Sequence, residues 1–127
     1  MPTLHYALIE EHHRFKLLAT YLDSHKNHKI LVLFSTEPQI EFFESVFTNL
    51  LPKINLNFAL VDSDVELDDY EQVLLLDIPT KFEVLGRIVE KSPLNSKIIL
   101  FVFKSNRGYV KMVEKKLSLS FTELNFS

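Results

Sequence analysis

Apolar and polar positions along the chain follow two alternating periods. Leu4–Ile9 reads as a strand. In His12–Ser24, Phe15, Leu18, Ala19 and Leu22 fall at i, i+3, i+4 and i+7, the stripe of an amphipathic helix. Lys29–Ser35 holds the unbroken apolar run Ile30–Phe34, as in a strand covered on both faces. Thr36-Glu37-Pro38-Gln39 then predicts a helix start, with Thr as N-cap, Gln at N3 and Pro in the first turn. The helix it opens carries Ile40, Phe43, Phe47 and Leu50 on one stripe and stops at Pro52.

The second half repeats the alternation. Asn57–Asp62 is a strand, followed by an acidic stretch to Asp69, and Gln72–Asp77 is the next strand. Thr80–Glu83 predicts another capping box, with Phe82, Leu85 and Val89 as the buried stripe behind it. Pro93–Ser96 is a turn and Lys97–Phe103 a buried strand. Ser105 caps a last helix that turns Tyr109, Val110, Val113 and Leu117 inward. The tail Ser118–Ser127 adds a short docking segment through Phe121, Leu124 and Phe126. Alternating strands and helices imply an α/β three-layer sandwich, with a mostly parallel sheet of about five strands between two helical layers.

Composition narrows this picture. The 127 residues make one domain, 1–127, without linker, repeat or low-complexity segment. Hydrophobic residues at 46% supply a core, which excludes a disordered chain. No apolar run approaches the length of a membrane span, and the N-terminus lacks the layout of a secretory signal. With no Cys there is neither a disulfide framework nor a thiolate metal site, so the expectation is a reduced, intracellular protein. The net charge of −3 opposes whole-surface binding of nucleic acid and leaves room for a local basic face.

Candidate chemistry is sparse. Arg107, Lys111 and Lys115 recur every four residues on the last helix, with Lys104 and Lys116 nearby and Arg87 on the preceding helix. The pattern fits a phosphate-contacting ridge for RNA, and equally the solvated face of an amphipathic helix. The Asp62-x-Asp64-x-Glu66 spacing begins like a calcium loop, but Leu67 takes the glycine position and Val73 that of the closing carboxylate. The pairs His12-His13 and His25-x-x-His28 lack the further ligands of a tetrahedral metal set. No catalytic triad or carboxylate pair stands out, so no catalytic residue, metal, cofactor or small-molecule substrate is expected. Phe42 falls off the stripe of its helix and, with Phe121 and Phe126, is a candidate protein-contact anchor.

The order of the segments resembles the C-terminal RecA-like lobe of DEAD-box RNA helicases. His5-Tyr6-Ala7-Leu8-Ile9 with Arg14–Leu18 and Tyr21-Leu22 is similar to its opening strand and helix. Lys29–Thr36 looks like its motif IV strand, and Ile40-Glu41-Phe42-Phe43 stands where the following helix has "V-E-F-L". Val73–Pro79 is similar to the "V-I-x-Y-D-x-P" strand before motif VI. Ile98–Phe103, Tyr109–Val113 and Leu124–Phe126 resemble the last strand, helix and closing segment, most like the subgroup acting in ribosome assembly.

The departures fall on the catalytic motifs. Within Gly86–Pro93 only Arg87 matches motif VI, and Glu90 and Pro93 stand at its later arginine positions. Motif V is rewritten as Ser63–Asp68, one βα unit is missing, and the two glycines, Gly86 and Gly108, cannot build a Walker A loop.

The resemblance therefore implies a noncatalytic scaffold or adaptor on a ribosomal or preribosomal particle, reached through RNA or proteins and away from membranes. Two alternatives stand beside it: a protein-interaction module with no RNA role, and one half of a split helicase whose first lobe is a separate chain.

Overall fold

A computed structural model describes residues 1–50 and 56–125. The expected helix stop at Pro52, the side chain of Leu50 and the contact residue Phe126 lie outside the described residues. The chain runs β1 (Thr3–Ile9), α1 (Arg14–Ser24), β2 (Ile30–Phe34), α2 (Glu37–Leu50), β3 (Leu56–Leu60), β4 (Gln72–Leu75), α3 (Phe82–Lys91), β5 (Lys97–Phe103), α4 (Gly108–Leu117) and β6 (Thr122–Glu123). The strands form one sheet in the order β3-β2-β4-β5-β1-β6, and every pairing is parallel. Among the described residues the crossover from β3 to β4 carries no helix.

Alternation along the strands divides the core in two. Ile30, Val32 and Phe34 of β2, Leu74 of β4, and Ile99 and Phe101 of β5 pack beneath α1 and α2 with Leu18, Leu22, Phe43 and Phe47. The intervening residues Leu31, Leu33, Val73, Leu75, Ile98, Leu100 and Val102 pack beneath α3 and α4 with Leu85, Ile88, Val110 and Val113. Strands buried on both faces need apolar residues at every position, which is why β2 and β5 read as continuous runs.

The structure departs from the sequence reading in five places. The sheet has six strands where about five were expected, because the tail pairs with β1 at His5 and Tyr6. Phe121, expected to be exposed, is only 9% exposed and packs in the α3/α4 core, so it is no contact anchor. The reason is the left-handed Ser118 (φ 54°), which ends α4 and turns the tail back; Phe121 N–H then donates to Glu114 Oε2 at 2.8 Å.

The remaining differences are at helix starts. At α3 the N-cap is Lys81 and not Thr80, and no side chain caps it. Ser105 lies within a short 3₁₀ turn, Lys104–Asn106, and Arg107 precedes α4. The opening of α2 keeps its predicted residues in another bond: the Thr36 hydroxyl donates to Gln39 Oε1 at 2.8 Å.

Candidate nucleic-acid interface

In an open parallel sheet, ligands bind beyond the carboxyl ends of the strands, where neighbouring strands connect in opposite directions. Here that point lies between β2, which leads outward to β3, and β4, which leads the other way to β5. Ser35 follows β2 there and Asp77 follows β4. The Ser35 backbone N–H and hydroxyl donate to Asp77 Oδ2 at 2.9 and 3.1 Å. Arg14, at the start of α1, sets Nη1 3.2 Å from Asp77 Oδ1, and its guanidinium lies 5.6 Å from the centre of the Phe43 ring. Both partners of the ion pair are mostly buried. The switch point thus neutralises its own cation, and Arg14 is committed to Asp77 rather than to an outside anion. Sequence reasoning missed this cluster, because Arg14 and Asp77 are distant in the chain and no spacing pattern links them.

Beside it, an open cleft of about 710 Å³ is lined by Ser35, Asp62, Thr80, Lys81, Glu83 and Arg87 among others. Its two cations face two carboxylates, which gives no net field to hold a phosphate. Glu90, at one of the expected arginine positions, lines a different groove with Gly86 and Leu117.

The basic residues singled out from the sequence divide into separate groups. At about 100° per residue, Arg107, Lys111 and Lys115 share one flank of α4. The opposite flank meets α3, where Tyr109 stacks near Phe82 at 5.8 Å between ring centres. All three basic residues are exposed, and among the described residues none is in an ion pair. Lys116 is exposed on the α3-facing flank, near the 59% exposed Met112. Lys104 pairs with Glu10 at 3.3 Å. Arg87 does not extend the ridge: it shares with Val84 and Lys91 the flank of α3 turned away from α4, toward Val61 and Ser63. Helical spacing puts Phe82, Gly86 and Val89 on the α4 side instead, and that decides the matter.

The carboxylates of the acidic stretch after β3 are exposed, while Leu67 is buried and Val65 half-buried. Asp64 pairs with Lys91 at 3.1 Å and Asp69 with Lys29 at 3.8 Å. His25 and His28 lie at the other end of the sheet, and Gln72 Nε2 is 2.6 Å from His28 Nδ1 while Gln72 Oε1 accepts from the Tyr21 hydroxyl. Among the described residues, no group of three or more His or carboxylate side chains is placed to hold a metal. None of the described helices is long and apolar enough to cross a membrane.

Phe42 is 57% exposed and approaches the half-buried Phe15 of α1 edge-on, at 6.5 Å. It stands on the α1/α2 face, remote from the α4 ridge across the sheet.

No protein-family model matches this chain, and no curated protein matches it. Solved structures do. A DEAD box protein from the hyperthermophile Methanococcus jannaschii superposes with a TM-score of 0.84 at 15% identity, over 97% of this chain and 42% of that one. The chain thus spans less than half the length of that protein. The C-terminal domain of Dbp5 from S. cerevisiae, bound to Gle1, superposes with a TM-score of 0.75 at 12% identity, over 98% of this chain and 90% of that one. Domain 2 of the Mss116p DEAD-box helicase, bound to an RNA duplex, gives a TM-score of 0.69 at 12% identity, over 99% and 64%. At these identities the likeness is one of fold, and the fold of this chain is that of the C-terminal RecA-like domain of DEAD-box helicases.

Proposed function

We propose that this chain is a noncatalytic scaffold that associates with RNA or a ribonucleoprotein, the candidate being a ribosomal or preribosomal particle. The observation that carries the reading is the Arg107–Lys111–Lys115 flank of α4. It is exposed, and among the described residues none of its three cations is in an ion pair, the neighbouring Glu114 accepting instead from Phe121 N–H. Cations so placed contact phosphates, read backbone shape and carry no sequence information. The Mss116p domain of the same fold is bound to an RNA duplex, which is consistent with this use of the scaffold. The noncatalytic part rests on the balanced charge of the strand-end cleft and on Arg14 being held by Asp77.

The test is salt-dependent binding to a structured RNA, paired with co-sedimentation of the tagged chain with ribosomal fractions. The double variant Lys111→Glu/Lys115→Glu is expected to weaken RNA binding at least about tenfold and flatten its salt slope, with the circular dichroism spectrum unchanged. Equal RNA affinity in that variant removes the ridge from the proposal. ATP turnover on mixing with a first helicase lobe would move the chain to the split-helicase reading.

Phe42 favours a second reading, a protein-interaction module without RNA. An aromatic ring more than half exposed beside Phe15 is an anchor of the kind found at the centre of protein interfaces. The Dbp5 domain bound to Gle1 gives this fold a precedent for protein partners. Association with native partners that survives RNase and is lost in Phe42→Ala supports it; loss on RNase treatment refutes it.

A further inference from the structure

Strand β3 ends the sheet, and among the described residues no strand pairs with its outer edge. Val61 N–H donates to Phe34 O at 2.7 Å, which fixes the parity of the strand. In a parallel strand one residue sends its N–H and C=O to one side and the next sends them to the other. Leu56, Phe58 and Leu60 therefore direct their amide groups away from β2. The Leu60 carbonyl accepts from Ser63 N–H at 3.1 Å. Among the described residues, nothing pairs with the rest. Natural edges are blunted by Lys, Pro, bulges or inward charges, and Leu-Asn-Phe-Ala-Leu has none of these.

The charge around this edge is predominantly acidic. Helical spacing places Glu37, Glu41 and Glu44 on the flank of α2 opposite Phe42. Phe42's own flank meets Phe15 of α1, so the carboxylates line the other flank, beside β3. On leaving β3 the chain presents Asp62, Asp64 and Glu66, and all six acidic residues are exposed. Among the described residues the nearby cations are Arg87, Lys91 and, in the cleft with Asp62, Lys81; Lys91 is held by Asp64. A second copy would bring like carboxylates together, and an RNA backbone would be repelled.

We propose that the β3 edge accepts an extended, lysine- or arginine-bearing segment of a protein partner as a seventh strand. Main-chain bonds to Leu56, Phe58 and Leu60 supply affinity, and the surrounding carboxylates select the basic sequence. This site is independent of the α4 ridge and lies at the opposite end of the sheet.

The probe is a synthetic peptide alternating lysine and valine, set against a glutamate–valine peptide of equal length, each added to the full chain. The basic peptide is expected to slow hydrogen exchange at the Leu56, Phe58 and Leu60 amides and to bind at least about tenfold tighter than the acidic one. Glu37→Lys/Glu41→Lys, a surface change, should remove most of that preference, while Lys111→Glu/Lys115→Glu should leave it intact. Absence of protection at the three amides, or equal binding of both peptides, overturns the proposal. Protection that rises with protein concentration in the absence of peptide also overturns it, by making a second copy the occupant. Neither result bears on RNA binding at α4, so the two readings fail separately.

Discussion

Asp77 organises the strand ends at the level of single residues. One carboxylate joins β4 to β2 through Ser35 and to α1 through Arg14. Among the described residues the buried Arg14 Nε has no partner, so the guanidinium already bears a desolvation cost that the ion pair offsets. Asp77→Asn is expected to destabilise the fold by about 2 kcal/mol, because it leaves a mostly buried cation uncompensated. Urea denaturation measures this, and a loss below about 0.5 kcal/mol would mean the pair is screened like a surface one. Tyr21 and Tyr109 form a second case. Burial pushes both hydroxyls up to about 12, with the Gln72 hydrogen bond pulling the other way at Tyr21. A raised folded-state value means the folded protein holds the proton more tightly. Their contribution is complete below about pH 10 and is lost as the pH rises through 12. Alkaline unfolding in that window, followed by the absorbance of the tyrosine phenolate, is the expected outcome. Ionisation of all tyrosines near pH 10 with the fold intact would contradict it.

The elements show which local rules held and where tertiary contacts replaced them. The α1 and α2 stripes, with Leu18, Leu22, Phe43 and Phe47 buried, follow the predicted helical period. Helix starts follow less well, since neither Thr80 nor Ser105 caps the helix expected of it. Tyr109 hydroxyl donation to Pro79 O at 2.9 Å and the Phe82–Tyr109 contact hold the α3 and α4 entries in place instead. At the other end of α4, Ser118 adopts a left-handed conformation that glycine takes without strain. Ser118→Gly should therefore stabilise the domain by about 1 kcal/mol, read as a higher urea midpoint at unchanged slope. A lower midpoint would show that the serine side chain contributes more than its backbone strain costs.

Across the whole molecule, charge is segregated along the sheet. The basic α4 flank lies toward one end and the acidic β3 edge at the other, a layout suited to bridging two unlike partners. The tail belongs to this architecture. Phe121 sits in the α3/α4 core, and Leu124 N–H donates to Tyr6 O at 2.8 Å. Phe121→Ala is expected to cost about 3 kcal/mol in a single cooperative unfolding transition, measured by calorimetry. A cost below about 1 kcal/mol would mark the tail as a dispensable appendage.

By itself the sequence determined the layers. Periodicity separates strands from helices wherever a segment buries one stripe or both faces, and the motif order around Lys29–Thr36 and Val73–Pro79 pointed to the helicase fold. Burial is a local demand written into each segment, so it is legible one segment at a time. Tertiary structure alone decided which charges meet. It brought Arg14 to Asp77, placed Arg87 on the far flank of α3 from the α4 ridge, and buried Phe121 by turning the chain at Ser118. These outcomes depend on strand order and on the rotation of each helix over the sheet. Both are set by packing between segments distant in the chain, and neither leaves a period within any one of them.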